Sequence, residues 1–148
     1  MIAANAIEQL RVLAVQPAPW FLAVGLHKPH LPHFAPKRYF DLYQLEDISL
    51  PRPSHVPANS SAVVFANGNG NHELWEYDDV AAGWPGQYSK EDVLLPDDEV
   101  RRQRRAYFAT ISFTDAQIGR VLGALDGVPS AADRTIIALF GDHVSNKL

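Results

Sequence analysis

Thr135-Ile136-Ile137-Ala138-Leu139-Phe140-Gly141-Asp142-His143 is the stretch on which the fold is read. Its first six residues are β-branched or apolar, which suits a strand buried on both faces. The run ends on a glycine and hands over directly to a carboxylate and an imidazole. Upstream, between Asp98 and Asp126, Val100, Tyr107, Ile111, Thr114, Ile118, Val121, Leu122 and Leu125 follow a three-four repeat. That period predicts one long helix with a single buried stripe. Pro96 precedes it, Asp97 or Asp98 is placed to cap its first amides, and Gly127 and Pro129 stop it. A second apolar run, Trp20-Phe21-Leu22-Ala23-Val24-Gly25, is bounded by proline and glycine and reads as another buried strand. Strand, helical crossover and strand together predict an α/β fold with a mostly parallel sheet flanked by helices.

The rest of the chain is arranged around those elements. Ala4 to Ala14 places Ile7, Leu10, Leu13 and Ala14 at helical spacing, and Pro17 and Pro19 close that helix. His27-Lys28-Pro29-His30-Leu31-Pro32-His33 follows the first strand, where its prolines forbid a regular helix. Pro36 to Tyr43 is expected to form one or two helical turns with Tyr39, Phe40 and Tyr43 facing inward. From Ile48 to Gln87 the chain is rich in Pro, Gly, Asn and Ser and reads as a long irregular excursion. Asn59-Ser60-Ser61 within it fits a glycosylation sequon, a pattern short enough to arise by chance.

Bulk properties exclude some classes of function. The 148 residues carry a net charge of −4, with 47% hydrophobic and 20% charged residues, as in an ordinary globular domain. A nucleic-acid binder would present a basic face. The one basic cluster, Arg101, Arg102, Arg104 and Arg105, reads as a solvated helical face. There is no cysteine, so no disulfide or thiolate site can form. Met1 to Val15 has Glu8 and Arg11 among its apolar residues, so no signal peptide is read there. No apolar run is long enough to span a membrane.

Two groups of residues could carry chemistry. Asp142 and His143 stand at the carboxyl end of a predicted strand, the edge where ligands bind in open α/β sheets. A carboxylate and a neutral imidazole there suit a divalent cation, whereas the plain alternative is a helix cap beside a surface histidine. His27, Lys28 and His30 combine imidazoles with a compact positive charge, which suits an anion whose leaving oxygen needs a proton. His27, His30 and His33 also recur every third residue, which would align them for zinc on a polyproline helix. A proline-rich surface turn is the third possibility. Asp115 reads as the edge of the helix stripe. Trp75, Tyr77 and Trp84 read as packing of the long loop, and Asp78 and Asp79 as loop acids.

Phe21-Leu22-Ala23-Val24-Gly25-Leu26-His27-Lys28-Pro29-His30-Leu31-Pro32 resembles the segment of sulfatases in which a strand delivers a Lys-Pro-His turn to the sulfate. Tyr107 to Leu122 resembles that family's long helix, with its Tyr-x-Ala-x-x-Ser-aromatic-x-Asp pattern. Thr135 through His143 resembles the strand bearing late metal ligands. The Asp-His pair and Pro36-Lys37-Arg38-Tyr39-Phe40-Asp41-Leu42-Tyr43 are similar to the iduronate-2-sulfatase branch. The resemblance runs from about Pro19 to His143. It implies a partial alkaline-phosphatase/sulfatase-like fold, with residues 1–148 as the central segment of a catalytic domain. It also implies that His30 contacts the sulfate and protonates the leaving oxygen, with Lys28 as a further anion-binding residue. Asp142 and His143 would help hold a calcium ion, and the substrate would be a sulfated saccharide, with neither nucleic acid nor membrane as partner. Full-length relatives are typically lysosomal, secreted or periplasmic.

The family's nucleophile is a formylglycine made within a Cys/Ser-x-Pro/Ala-x-Arg motif near the N-terminus. No cysteine is present, and the serine form of the motif is expected to be absent as well. The early Asp-Asp pair and the later lysine of the pocket are likewise not found, and Lys147 falls too early to serve as that lysine. Groups that act as a unit fail together, so the chain by itself is expected not to hydrolyse a sulfate ester. A related phosphoesterase segment and a non-catalytic anion- or sugar-binding remnant are the alternatives. The defining expectation is geometric: His30 and Asp142 should meet at one oxyanion pocket.

Overall fold

The computed structural model describes residues 1–30, 32–51 and 96–141. Helix α1 (Ile2–Leu13) buries Ala3, Ala6 and Leu10, and Ala14 just beyond it is buried too. The spacing of three and four residues puts these on one face. Arg11 in the last turn suits the negative end of the helix dipole. Helix α2 (Lys37–Phe40) is a single turn, followed by a 3-10 turn at Leu45–Asp47. Helix α3 (Asp97–Asp126) has 30 residues and is about 45 Å long, and the short helix α4 (Pro129–Ala132) completes the order.

All the other elements lean on α3. Its core contribution differs from the predicted stripe. Ala106, Ala109, Thr110 and Leu125 are its buried residues, whereas Tyr107, Ile111, Thr114, Ile118, Val121 and Leu122 are half-buried. Small side chains let neighbouring elements approach closely, so Ala109 and Thr110 are fully covered while bulkier neighbours keep an exposed edge. Thr110 meets the cost of burying its hydroxyl by donating to the Tyr107 carbonyl at 2.7 Å. Leu10, Ala14, Leu125 and Ala131 form a buried cluster, with Trp20, Leu22 and Val128 packed against it.

The ends of α3 are made differently from the sequence expectation. Pro96 is the residue before the helix, and Asp97, Asp98 and Glu99 all lie in its first turn, with no side-chain cap. Their carboxylates act on the positive end of the dipole instead. At the other end Gly127 keeps a right-handed helical backbone at φ −66°, so no glycine-specific conformation is needed. The helix breaks at Val128, which precedes Pro129 and takes φ −127° and ψ 77°. A residue before proline is pushed out of the helical region by the ring, and Pro129 then starts α4.

The two predicted strands behave unlike the helices. Among the described residues neither 20–25 nor 135–140 is assigned to a strand. Residues 20–23 do alternate, with Trp20 and Leu22 half-buried and Phe21 and Ala23 exposed. Residues 136–140 are all exposed, with Ile136 at 96%, Leu139 at 74% and Phe140 at 87%.

Candidate functional site

The turn at 27–33 is built by hydrogen bonds within itself and by two contacts to α3. The His30 amide donates to the His27 carbonyl at 3.1 Å, which closes a reverse turn around a cis Lys28–Pro29 peptide. The Lys28 ammonium folds back on the same turn, donating to the His30 carbonyl at 2.9 Å and to the Pro32 carbonyl. It also stands 5.8 Å from the centre of the Phe34 ring. On the outer side, the His27 and His30 rings lie 5.0 Å apart, tilted by 36°. Both residues are exposed. The turn therefore carries two exposed imidazoles with an ammonium nearby.

Helix α3 anchors that turn from below. The Thr114 hydroxyl donates to the Lys28 carbonyl at 3.2 Å across 86 residues of sequence. Seven residues earlier, the Tyr107 ring meets the His33 ring edge-on at 5.6 Å. Residues seven apart share a helix face, so one face of α3 holds both ends of the turn. Burial lowers the His33 pKa from its ordinary 6.5. The Lys28 charge adds to that shift, and a hydrogen bond with the Pro29 backbone opposes it. His33 is therefore a packed histidine on the scaffold side of the turn.

A second stretch of α3 fixes the segment that follows. The Arg101 Nε donates to the Ile48 carbonyl at 3.2 Å, and Arg105 donates to the Phe40 carbonyl through Nε at 3.3 Å and Nη2 at 3.0 Å. The Phe108 ring lies 5.6 Å from Tyr43, whose hydroxyl is 2.6 Å from Ser112 Oγ. Positions 101, 105, 108 and 112 follow a four-three-four spacing along one face. This corrects the reading of the arginine cluster as solvated, because Arg101 and Arg105 satisfy carbonyls at the ends of short helical turns. Arg102 does follow that reading, paired at 3.1 Å with Glu99 at the surface. Tyr39, packed against Phe113 at 5.4 Å, and Tyr43 face inward as expected.

Of the sequence-predicted site residues, Lys28 and His30 share one turn. Asp142 and His143 lie outside the described residues, as do Leu31, the 59–61 sequon, Trp75, Asp78, Asp79 and the other residues singled out in the long loop. The zinc alternative is corrected. Among the described residues no three His, Cys, Asp or Glu side chains come together for a metal, and the His33 ring packs edge-on against Tyr107. Asp115 is exposed, as its stripe-edge placement implied. Sequence reasoning took Thr114 for a packing residue. The signal it passed over was a hydroxyl within an apolar stripe, which needs a partner.

The expected absence of a serine form of the nucleophile motif also needs correction. Ser130-Ala131-Ala132-Asp133-Arg134 fits Ser-x-Ala-x-Arg letter by letter. Its setting accounts for those letters otherwise. Ala131 is a core residue, and Arg134 Nε donates back to the Ser130 carbonyl at 2.8 Å. The stretch lies past the end of α3, about 18 Å along the helix axis from Thr114 and the histidine turn.

Among the described residues, no helix is long and apolar enough to cross a membrane. The sulfatase family model matches residues 1–146. Mouse iduronate 2-sulfatase is 40% identical over 139 residues, and the human protein of that name 38%. Both alignments cover 94% of this chain and 24% of the relative, so the chain spans about a quarter of the length of these relatives. A sulfatase of Formosa agariphila is 35% identical over 125 residues, covering 84% of this chain and 22% of that protein. With the histidine turn, the long helix and nearly the whole sequence falling inside these matches, the chain belongs to the sulfatase family, whose chemistry is sulfuric ester hydrolysis.

Proposed function

We propose that the chain is the central segment of a sulfuric ester hydrolase of the iduronate 2-sulfatase kind, acting as part of the whole enzyme on sulfated sugars of the glycosaminoglycan class. Its fold is a partial α/β domain of the alkaline-phosphatase/sulfatase type. Residues 20–25 and 135–140 are strands of a mostly parallel sheet, and their neighbours come from the rest of such a domain. His30 meets the sulfate and gives a proton to the leaving sugar oxygen. Lys28 adds positive charge beside it, which favours an anion at the turn. Asp142 and His143 contribute an oxygen and a nitrogen ligand to a calcium ion, which neutralises sulfate oxygens when bound.

The observation that carries this reading is the turn itself. His27 and His30 are exposed with their rings 5.0 Å apart, on a segment anchored to α3 by Thr114 and Tyr107, in a chain 40% identical to an iduronate 2-sulfatase. By itself the chain does not turn over substrate, because the nucleophile and the other half of the metal site act as one unit with this turn. The purified chain, assayed with an aryl sulfate and calcium, gives no hydrolysis above the uncatalysed rate. Measurable turnover refutes the division of labour proposed here. Calorimetric titration with calcium gives at most weak binding, and a tight micromolar site counts against it.

A further inference from the structure

The hydroxyl of Thr114 is used in an unusual way. A threonine inside a helix commonly satisfies its hydroxyl on a carbonyl three or four residues back, as Thr110 does with Tyr107 at 2.7 Å. Thr114 instead donates 3.2 Å away to the Lys28 carbonyl, from a helix position flanked by the aliphatic Ile111 and Ile118. The carbonyl it holds belongs to the residue before Pro29, which has no amide hydrogen to contribute to the turn. The turn's internal bonds run from His30 to the His27 carbonyl and from the Lys28 ammonium to the His30 and Pro32 carbonyls. They shape the turn but do not tie it to the scaffold.

We propose that Thr114 is a positioning residue, whose hydroxyl pins the Lys28 carbonyl and thereby fixes the His27 and His30 rings in the arrangement that meets the anion. The role given to the anion rests on the sulfate reading above. The pinning of the turn stands apart from it.

The two are separated by measuring the full 148-residue chain in two ways. Histidine-ring NMR without added anion reports the His27–His30 ring contact, and titration with inorganic sulfate reports affinity at those rings. Thr114→Val keeps the shape and removes the hydroxyl, and Thr114→Ser keeps the hydroxyl. In Thr114→Val the ring contact is lost and sulfate binding weakens about fivefold, the worth of one net hydrogen bond. Thr114→Ser restores both, and helix content by circular dichroism is the same in all three chains. An unchanged ring contact in Thr114→Val overturns the proposal. So does a serine variant that behaves like valine, or a wild-type chain that lacks the contact. A wild-type chain with the ring contact but no sulfate response refutes the sulfate reading, and Thr114 is then judged on the ring contact alone.

Discussion

The Arg101–Ser112 face of α3 and the apolar runs 20–25 and 135–140 make an instructive pair. On the helix face Arg101, Arg105, Phe108 and Ser112 each find a partner far away in sequence, such as Arg105 on the Phe40 carbonyl and Ser112 on Tyr43. In the two runs, large apolar side chains stand in solvent, with Phe21 and Phe140 both 87% exposed. The difference lies in where the partners are. A helix satisfies its own backbone and needs only one covered face, whereas a strand makes its hydrogen bonds with neighbours. In the proposed sheet those neighbours come from the three quarters of the relatives' length that this chain does not span.

The contrast is sharpest in stability. Leu125, 4% exposed at the centre of the buried cluster, should cost about 3 kcal/mol when replaced by alanine, read as a shift in the urea unfolding midpoint. Phe140→Ala, a larger truncation than Leu125→Ala, should change stability by less than about 0.5 kcal/mol. Equal losses at the two positions would mean that the 135–140 run is already packed in solution. Tyr43→Phe should cost about 1 kcal/mol through the lost Ser112 contact. In a double-mutant cycle with Ser112→Ala the losses should be less than additive, because both remove the same bond.

His33 gives a pH test of the turn's inner side. Its folded pKa lies below the ordinary 6.5, so above that pH both folded and unfolded chains hold it neutral and it adds no pH dependence. As pH falls below about 6.5 the unfolded chain takes up the proton first, and the folded state loses stability. His33→Gln should flatten that part of the curve when urea midpoints are followed from about pH 8 to about pH 5. A wild-type curve as flat as the variant's would show that His33 is not packed as described. The smallest effect belongs to the surface pair Lys37–Asp41, where Asp41→Asn should cost only about 0.3 kcal/mol and less in high salt.

Helices were legible in the sequence because their period is a local property. The α3 repeat, the α1 face through Leu10 and Ala14, and the inward Tyr39 and Tyr43 all follow from spacing. Contacts between distant segments were not legible. Nothing in the order of residues says that Arg101 and Arg105 would turn from water to two carbonyls, or that Thr114 would reach Lys28. The alanines at 106 and 109 were missed for a related reason, since a stripe drawn by size ignores the residues that allow closest approach. The Lys28–His30 pairing on one turn was legible, because Pro29 between them leaves little freedom. The expected meeting of His30 with Asp142 was read from a predicted sheet, and Asp142 lies outside the described residues.

The central claim is that α3 presents the His27–His30 turn to a sulfate, and titration of the histidine-labelled chain with sulfate tests it most directly. With sodium chloride at matched ionic strength as the control, the ring resonances of His27 and His30 should move and saturate, while His33, packed on Tyr107, moves little. Histidine rings that do not respond, or a saturable response centred on Lys37 and Arg38 instead, would contradict the account.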